Sequence, residues 1–437
     1  MPNSSPPDRQ LFIFKKPKTM YKPLQENHFK GAPPTSVSIK FIRRSNNINA
    51  SIPHLFQAKE PQHNLRIIQV VNVRWFNATA WYGLWLARLL REAGHRCEVA
   101  ALPGTDTWRK AEDWGFTPLD LNLNSGNPAR LAAAYGGLRR LVKEYRPHIV
   151  NCHRGEGFFL WAMLRRQLNS FALVRTRGDQ RRPRHDFCNK WLHNQAADAL
   201  ISTNTPMARY FENHMATPQG HMTTILGGVD QNIFCFDPVG RQKVRREFGF
   251  ADNETVVGLL GRLDTVKDQR GVIAACALLR RAGRPARLML LGEGTSNISR
   301  ATVEAWLKDA GLAEFAVITG RRQDVPACIS AMDIGVVASL GSETIARAAL
   351  EIMACRRPLL STTVGVMPDL LPAEALFAPE DPAAMAEKIA NVMDDPAFTQ
   401  FLLDDAAKRL PQLSGPAFVA QTLQTYVRAM NAAGIQI

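Results

Sequence analysis

The stretch LGSETIARAALEIMACRRPLLSTT, residues 340–363, decides how the chain folds. The apolar run Ile334–Ala338 before it has the length and β-branching of a buried strand. Gly341 and Ser342 break that run, and Ser342 is a fair helix cap. From Thr344 to Ala354 the residues are strong helix formers, with Ile345, Ala349, Ile352 and Met353 at helical spacing. Arg356-Arg357-Pro358 ends the helix, and Leu359–Ser361 reads as another short strand. A helix N-terminus therefore opens at the carboxyl end of a parallel strand. Ligands bind there in open α/β sheets, and its free amides suit a phosphate. Glu343 precedes this helix and Glu351 lies within it, with seven residues between them. Eight helical steps would set them roughly 12 Å apart along the axis. On spacing alone, a capping carboxylate and a solvated helix face is the favoured reading.

Working outward, the same strand-helix alternation covers most of the chain. Leu65–Val71, Cys97–Leu102, His148–His153, Leu173–Arg177 and Ala199–Thr203 read as strands. Helices fall near Trp81–Ala93, Arg130–Tyr145 and Asn189–Ala197. The pattern breaks at Thr224–Asp230 and restarts with strands at Val256–Leu260, Arg287–Leu291, Ala316–Thr319, Ile334–Ala338 and Leu359–Ser361. Such alternation specifies α/β domains with doubly wound parallel sheets. Near the end, Val419, Leu423, Tyr426, Val427 and Met430 form one helical face.

The chain has 437 residues, 46% of them hydrophobic, enough for two domains with cores. Its seven cysteines form no C-x-x-C pair, which points to reduced thiols in a cytoplasm and away from zinc or a disulfide framework. No run approaches the ~18 apolar residues of a membrane span. The N-terminus lacks an apolar signal core, so a cytoplasmic location is expected. Residues 1–64 hold ten Lys or Arg against three Asp or Glu, seven of the net fifteen positive charges. They read as a basic, disordered extension. A basic balance suits nucleic acid, an anionic membrane or a phosphorylated substrate. No aromatic-basic ladder or named nucleic-acid motif is present, so nucleic acid is not expected as a partner. Peripheral attachment to the inner face of the cytoplasmic membrane is expected from the extension and from Arg139, Arg140 and Lys143 on one predicted helix.

Several segments resemble the family-four retaining glycosyltransferases. Ser342-Glu343 through Ala354, then Pro358, resembles that family's S-E-G-F-x-x-x-x-L-E-A-M-A-x-G-x-P-V signature. Thr344-Ile345 replaces Gly-Phe, and Arg356 replaces the usual Gly. Gly261–Lys267 resembles G-R-L-x-x-x-K, Pro147–His153 resembles P-D-I-V-H-x-H, and Ile225–Asp230 resembles the I-P-N-G-V-D turn that ends the first domain. Gly292-Glu293-Gly294 resembles G-[DE]-G, and Gly320–Val325 resembles G-x-x-x-D-V. The first strand-helix turn, Asn72–Ala80, departs from the family because it holds no glycine.

The resemblance implies the GT-B fold, two Rossmann-like domains facing a cleft. Residues 65–226 would be the acceptor domain, 227–413 the nucleotide-sugar domain, and 414–437 a helix crossing back to the first. It implies retaining transfer of a sugar from a nucleotide diphosphate to a glycan or glycolipid, as in lipopolysaccharide or other cell-surface polysaccharide synthesis. Arg262 and Lys267 would meet the departing diphosphate, and His153 would approach the sugar's reacting face. Glu343, Glu351, Gly261, Gly292 and the backbone of Ile345, Ala346 and Arg347 would hold the donor, with Arg322 beside the nucleobase. No Asp-x-Asp pair ends a strand, so no metal and no further cofactor is expected. Five arginines crowd residues 174–184. Arg175, Arg177, Arg181 and Arg182 suit an acidic acceptor, and a solvated basic loop is the equal alternative. A nucleotide-sugar epimerase of the same fold, or a non-catalytic sugar-nucleotide or membrane-surface binding protein, are the rival readings.

Overall fold

The computed structural model describes residues 64–121, 123 and 127–436, so the extension expected over 1–64 lies, apart from Asn64, outside the described residues. Two parallel sheets form the framework. The first comprises β1 (Arg66–Val70), β2 (Arg96–Ala101), β3 (Leu119–Asp120), β4 (Ile149–Cys152), β5 (Ala172–Arg177), β6 (Ala199–Ser202) and β7 (Met222–Thr224), in the order β3-β2-β1-β4-β5-β6-β7. The second comprises β8 (Thr255–Leu260), β9 (Ala286–Leu291), β10 (Ala316–Gly320), β11 (Ile334–Val337), β12 (Leu359–Thr362) and β13 (Leu376–Phe377), in the order β10-β9-β8-β11-β12-β13. Every pairing is parallel. Helices cover both faces, so the central strands are continuous apolar runs rather than alternating ones. The strand order reverses beside β1 and again beside β8, and crevices open at those points. This is the expected two-Rossmann architecture. The strands β3, β7 and β13 have only two or three residues each, too few for a readable period, and none was predicted.

Two segments cross between the domains side by side. The amide of Val229 donates to the Leu413 carbonyl at 2.8 Å. A Cβ on Gly228 would lie 2.8 Å from the Ser414 carbonyl oxygen, so only glycine permits this approach. After the second crossing, the helix Gly415–Ala433 packs on the first domain, with Phe418, Val419, Tyr426 and Met430 in the same apolar cluster as Leu84 and Trp85. Tyr426 also carries a polar tie. Its hydroxyl accepts from the buried side-chain amides of Gln69 on β1 and Asn151 on β4, each at 2.9 Å. Buried amides need such partners.

Two expectations are corrected. The helix of the deciding stretch runs Arg347–Ala354, not from Thr344, and its cap position is Ala346, without a side-chain cap. Ser342 does not cap it, because residues 341–345 are drawn across to the first domain, as described below. The helix expected at Asn189–Ala197 is a short helix, Phe187–Trp191, continued by a π-helical turn, Leu192–Ala196.

Candidate active site

The carboxyl ends of β8, β9 and β11 meet at the mouth between the domains. β8 ends at Leu260 and β9 at Leu291, and the loops after them lie against each other. The Gly261 amide donates to the Leu291 carbonyl at 2.9 Å, and the Leu263 amide to the Glu293 carbonyl at 2.7 Å. A Cβ on Gly292 would lie 2.0 Å from the Gly261 carbonyl oxygen, so this contact requires glycine. Gly261 and Gly292, both expected at the donor, therefore shape one surface.

Past Gly261 the chain makes a short 3-10 turn, Thr265–Lys267, and Asp268 then caps the helix Gln269–Arg281 through the Gly271 amide at 2.9 Å. The turn sends Lys267 back toward β11. Its ammonium forms an ion pair with the Glu343 carboxylate and reaches Ser339 Oγ at 3.4 Å. Glu343 also accepts from Ser339 Oγ, and its side chain is 5% exposed against 24% for Lys267. Arg262 is different: 71% of its side chain is exposed, and among the described residues its ion pair is with Asp264, at 3.0 Å. One cation is thus held by a buried carboxylate and the other stands open.

The loop carrying Glu343 is clamped from two directions. The Val366 amide donates to the Glu343 carbonyl at 2.7 Å, and a Cβ on Gly365, whose φ is +64°, would lie 1.9 Å from that oxygen. From the other domain, Thr203 Oγ1 donates to the Thr344 carbonyl at 2.7 Å, while Thr344 Oγ1 donates to the Gly178 carbonyl at 3.0 Å. Gln180 hydrogen-bonds the Gly341 carbonyl, and the Thr205 amide donates to Asp369 at 2.7 Å. Ile345 is buried in the first domain's apolar cluster, against Gly178. These ties keep 341–345 out of the helix. Thr203, Gly178, Gln180 and Asp369 were not singled out in the sequence, where nothing marks a contact between domains.

Arg347 opens the helix, and its Nε donates to Glu351 at 2.6 Å. Burial raises the Glu351 carboxyl above its ordinary range, and the Arg347 charge and hydrogen bond oppose that. The Arg347 guanidinium lies 5.1 Å over the ring of Trp81, a first-domain residue read in the sequence only as helix.

Other expected site residues sit elsewhere. His153 is wholly buried, below rather than in the open mouth. Its Nε2 lies 2.7 Å from Gln69 Oε1. Gln69 Nε2 donates to Tyr426, so Gln69 Oε1 is the acceptor and the imidazole carries its proton on Nε2. Burial, with the nearby Arg175 charge, pushes its pKa down to about 3, so it is neutral at ordinary pH. Arg175 is also fully buried, donating to the Cys152 carbonyl at 2.9 Å and to Asp179 at 3.2 Å. Arg177 pairs with Asp179 at 2.9 Å and donates to the Arg181 carbonyl at 2.6 Å. Arg175 and Arg177 therefore brace the 178–184 loop from below and do not reach an acceptor. Arg181, Arg182 and Arg184 are its exposed cations. Arg322 is bound to Glu247 at 2.5 Å and Asp324 at 2.8 Å, so its guanidinium is committed within the second domain instead of open to a nucleobase.

Comparison with known proteins agrees with this layout. Residues 82–232 match the family described as Glycosyltransferase Family 4, and residues 254–395 match Glycosyl transferases group 1. EpsD of Bacillus subtilis is 24% identical over 322 residues, covering 68% of this chain and 81% of EpsD. A D-inositol 3-phosphate glycosyltransferase of Pseudarthrobacter chlorophenolicus is 26% identical over 264 residues, covering 58% of this chain and 61% of that protein's length. Among solved structures, Anabaena HepE in complex with UDP superposes with a TM-score of 0.73 at 19% identity, over 83% of this chain and all of HepE. One domain match falls in each half, in the order that the two sheets follow along the sequence, and the chain has the two-Rossmann GT-B fold, similar in its first half to Glycosyltransferase Family 4 and in its second to Glycosyl transferases group 1.

Proposed function

We propose that this chain transfers a sugar, with retention of configuration and without a metal, from a nucleoside diphosphate to a glycan or glycolipid acceptor of cell-surface polysaccharide or lipopolysaccharide synthesis. The observation that carries the reading is the Lys267–Glu343 pair at the domain mouth, beside the open Arg262. A departing diphosphate gains negative charge as the sugar–phosphate bond breaks, and preorganised cations lower the energy of that state. Glu343, held by Lys267 and Ser339, can accept from hexose hydroxyls, and Glu351 from a ribose. The leaving phosphate is the group that takes the acceptor's proton, consistent with a neutral, buried His153. HepE crystallises in complex with UDP and with UDP-glucose, which makes a uridine donor the first to test. Arg181 and Arg182, exposed on the 178–184 loop, suit an anionic acceptor. No helix among the described residues is long and apolar enough to cross a membrane. Exposed Arg139, Arg140 and Lys143, with the basic 1–64 segment, support peripheral attachment to an anionic leaflet.

The test offers UDP-, GDP- and ADP-sugars with anionic lipid-linked glycans, and follows products and anomeric configuration by NMR. Acceptor-dependent transfer with the donor's configuration, unchanged by chelator, is expected. Inverted product would overturn retention, and loss with chelator would overturn metal independence. Interconversion of the nucleotide sugar without acceptor would make the protein an epimerase.

A further inference from the structure

Arg347 combines three features that a surface helix residue rarely shares. Its side chain is 42% exposed, yet it is oriented from two sides. From its own helix, Glu351 holds Nε at 2.6 Å. From the other domain, the Trp81 ring lies beneath the guanidinium at 5.1 Å. Trp81 is itself fixed, buried and stacked on Trp85 with ring centres 5.0 Å apart and planes 19° from parallel. Among the described residues, Nη1 and Nη2 of Arg347 have no hydrogen-bond partner. An arginine left free in solution would turn through many rotamers. This one is held with its Nε edge committed and its two terminal amino groups unused.

The place of this fork matters. Arg347 is the first residue of the helix Arg347–Ala354, and Ala346 before it supplies no side-chain cap. Four residues earlier, Glu343 holds Lys267. A preorganised guanidinium with two free donors suits a phosphate oxygen pair better than a mobile ammonium does.

Resting on the donor reading above, we propose that Arg347 is a third cation for the donor's diphosphate. Glu351 and Trp81 position its guanidinium, and its two terminal amino groups bind diphosphate oxygens. Because Trp81 belongs to the first domain, this cation is fully oriented only when the two domains are closed on each other. Glu351 then has two tasks, a ribose contact through one carboxylate oxygen and the aiming of Arg347 through the other. An ordinary i,i+4 surface pair would steady the helix slightly and contribute nothing to ligand choice.

The experiment is calorimetric titration of the full chain with UDP, GDP and ADP, then with the monophosphate of whichever binds best. Arg347→Leu is expected to weaken the diphosphate at least tenfold and the monophosphate less than twofold. Trp81→Leu is expected to weaken the diphosphate several-fold, and the double variant to be no weaker than Arg347→Leu alone, since the ring acts only through the guanidinium. Arg347→Lys keeps a charge beside Glu351, so it folds even if Arg347→Leu does not. It is expected to remain at least threefold weaker than the natural chain, because an ammonium cannot donate to Glu351 and to two phosphate oxygens in one plane. Diphosphate affinity within twofold of the natural chain in Arg347→Lys and Arg347→Leu, while Lys267→Ala loses it, overturns this proposal and leaves the donor site standing. Failure of the natural chain to bind any of the three diphosphates overturns both.

Discussion

Replacing Glu343 by Gln separates recognition of the hexose from recognition of the diphosphate. The side chain keeps its size and an acceptor oxygen for Lys267 and Ser339, and the backbone clamp from Val366 is untouched. What is lost is charge. Hydrogen bonds from hexose hydroxyls to a carboxylate are worth roughly 1.5–3 kcal/mol against about 1 for a neutral acceptor. The expected fall in kcat/KM for transfer is therefore about 2- to 30-fold for each bond weakened. The diphosphate responds in the opposite sense. A buried carboxylate close to a phosphate charge repels it by on the order of 1 kcal/mol at an effective dielectric near 20, less with salt screening. Its removal also frees the Lys267 charge. Nucleoside diphosphate should bind as well or a few-fold more tightly, while transfer falls. Titration calorimetry with the diphosphate and steady-state rates with the full donor measure the two sides. A parallel loss of diphosphate affinity would refute the argument, because it would show that Glu343 serves mainly to position Lys267.

Three further outcomes are expected. Tyr426→Phe leaves the Gln69 and Asn151 amides without the hydroxyl that both donate to, at about 1–3 kcal/mol for each that finds no new partner, and the denaturant midpoint should fall accordingly; an unchanged midpoint would mean that water takes the hydroxyl's place. Gly292→Ala forces a methyl against the Gly261 carbonyl, so the loops must part and donor affinity should fall by tenfold or more, whereas Gly136→Ala in the helix Pro128–Tyr145, where an added Cβ meets nothing within 4 Å, should leave it intact. Burial holds His153 and His193 near 3, below the ordinary value of 6.5, so the unfolded chain binds more protons between those limits. Stability present above pH 6.5 should then be lost as pH falls toward 3, by up to about 1.4 kcal/mol per pH unit for each histidine, and His193→Phe should flatten that slope in chemical denaturation; an identical slope would exclude His193 as a source.

The sequence alone determined the α/β class and its two series of parallel strands, and it marked Glu343 and Lys267, which the structure brings into one ion pair. The class rests on local or periodic signals, β-branched runs of strand length and glycines at strand ends, and the charged residues on short motifs. Strands buried on both faces announce themselves as continuous apolar runs, so β1, β4, β8 and β11 were legible. The edge strands β3, β7 and β13 were not, because two or three residues carry no period. Only the tertiary structure decided which charges are free. Five arginines in residues 174–184 look alike as letters, but β5 carries Arg175 and Arg177 into the interior, where Asp179 must offset them, and leaves Arg181, Arg182 and Arg184 outside. Likewise Thr344 and Ile345 have helix-compatible neighbours, yet Gly178 and Thr203 hold them in a loop from 166 and 141 residues away. Local propensity is worth tenths of a kcal/mol per residue, and a buried hydrogen bond or a buried isoleucine is worth more. Where the two compete, the contact between domains prevails, and no reading of one stretch at a time contains it.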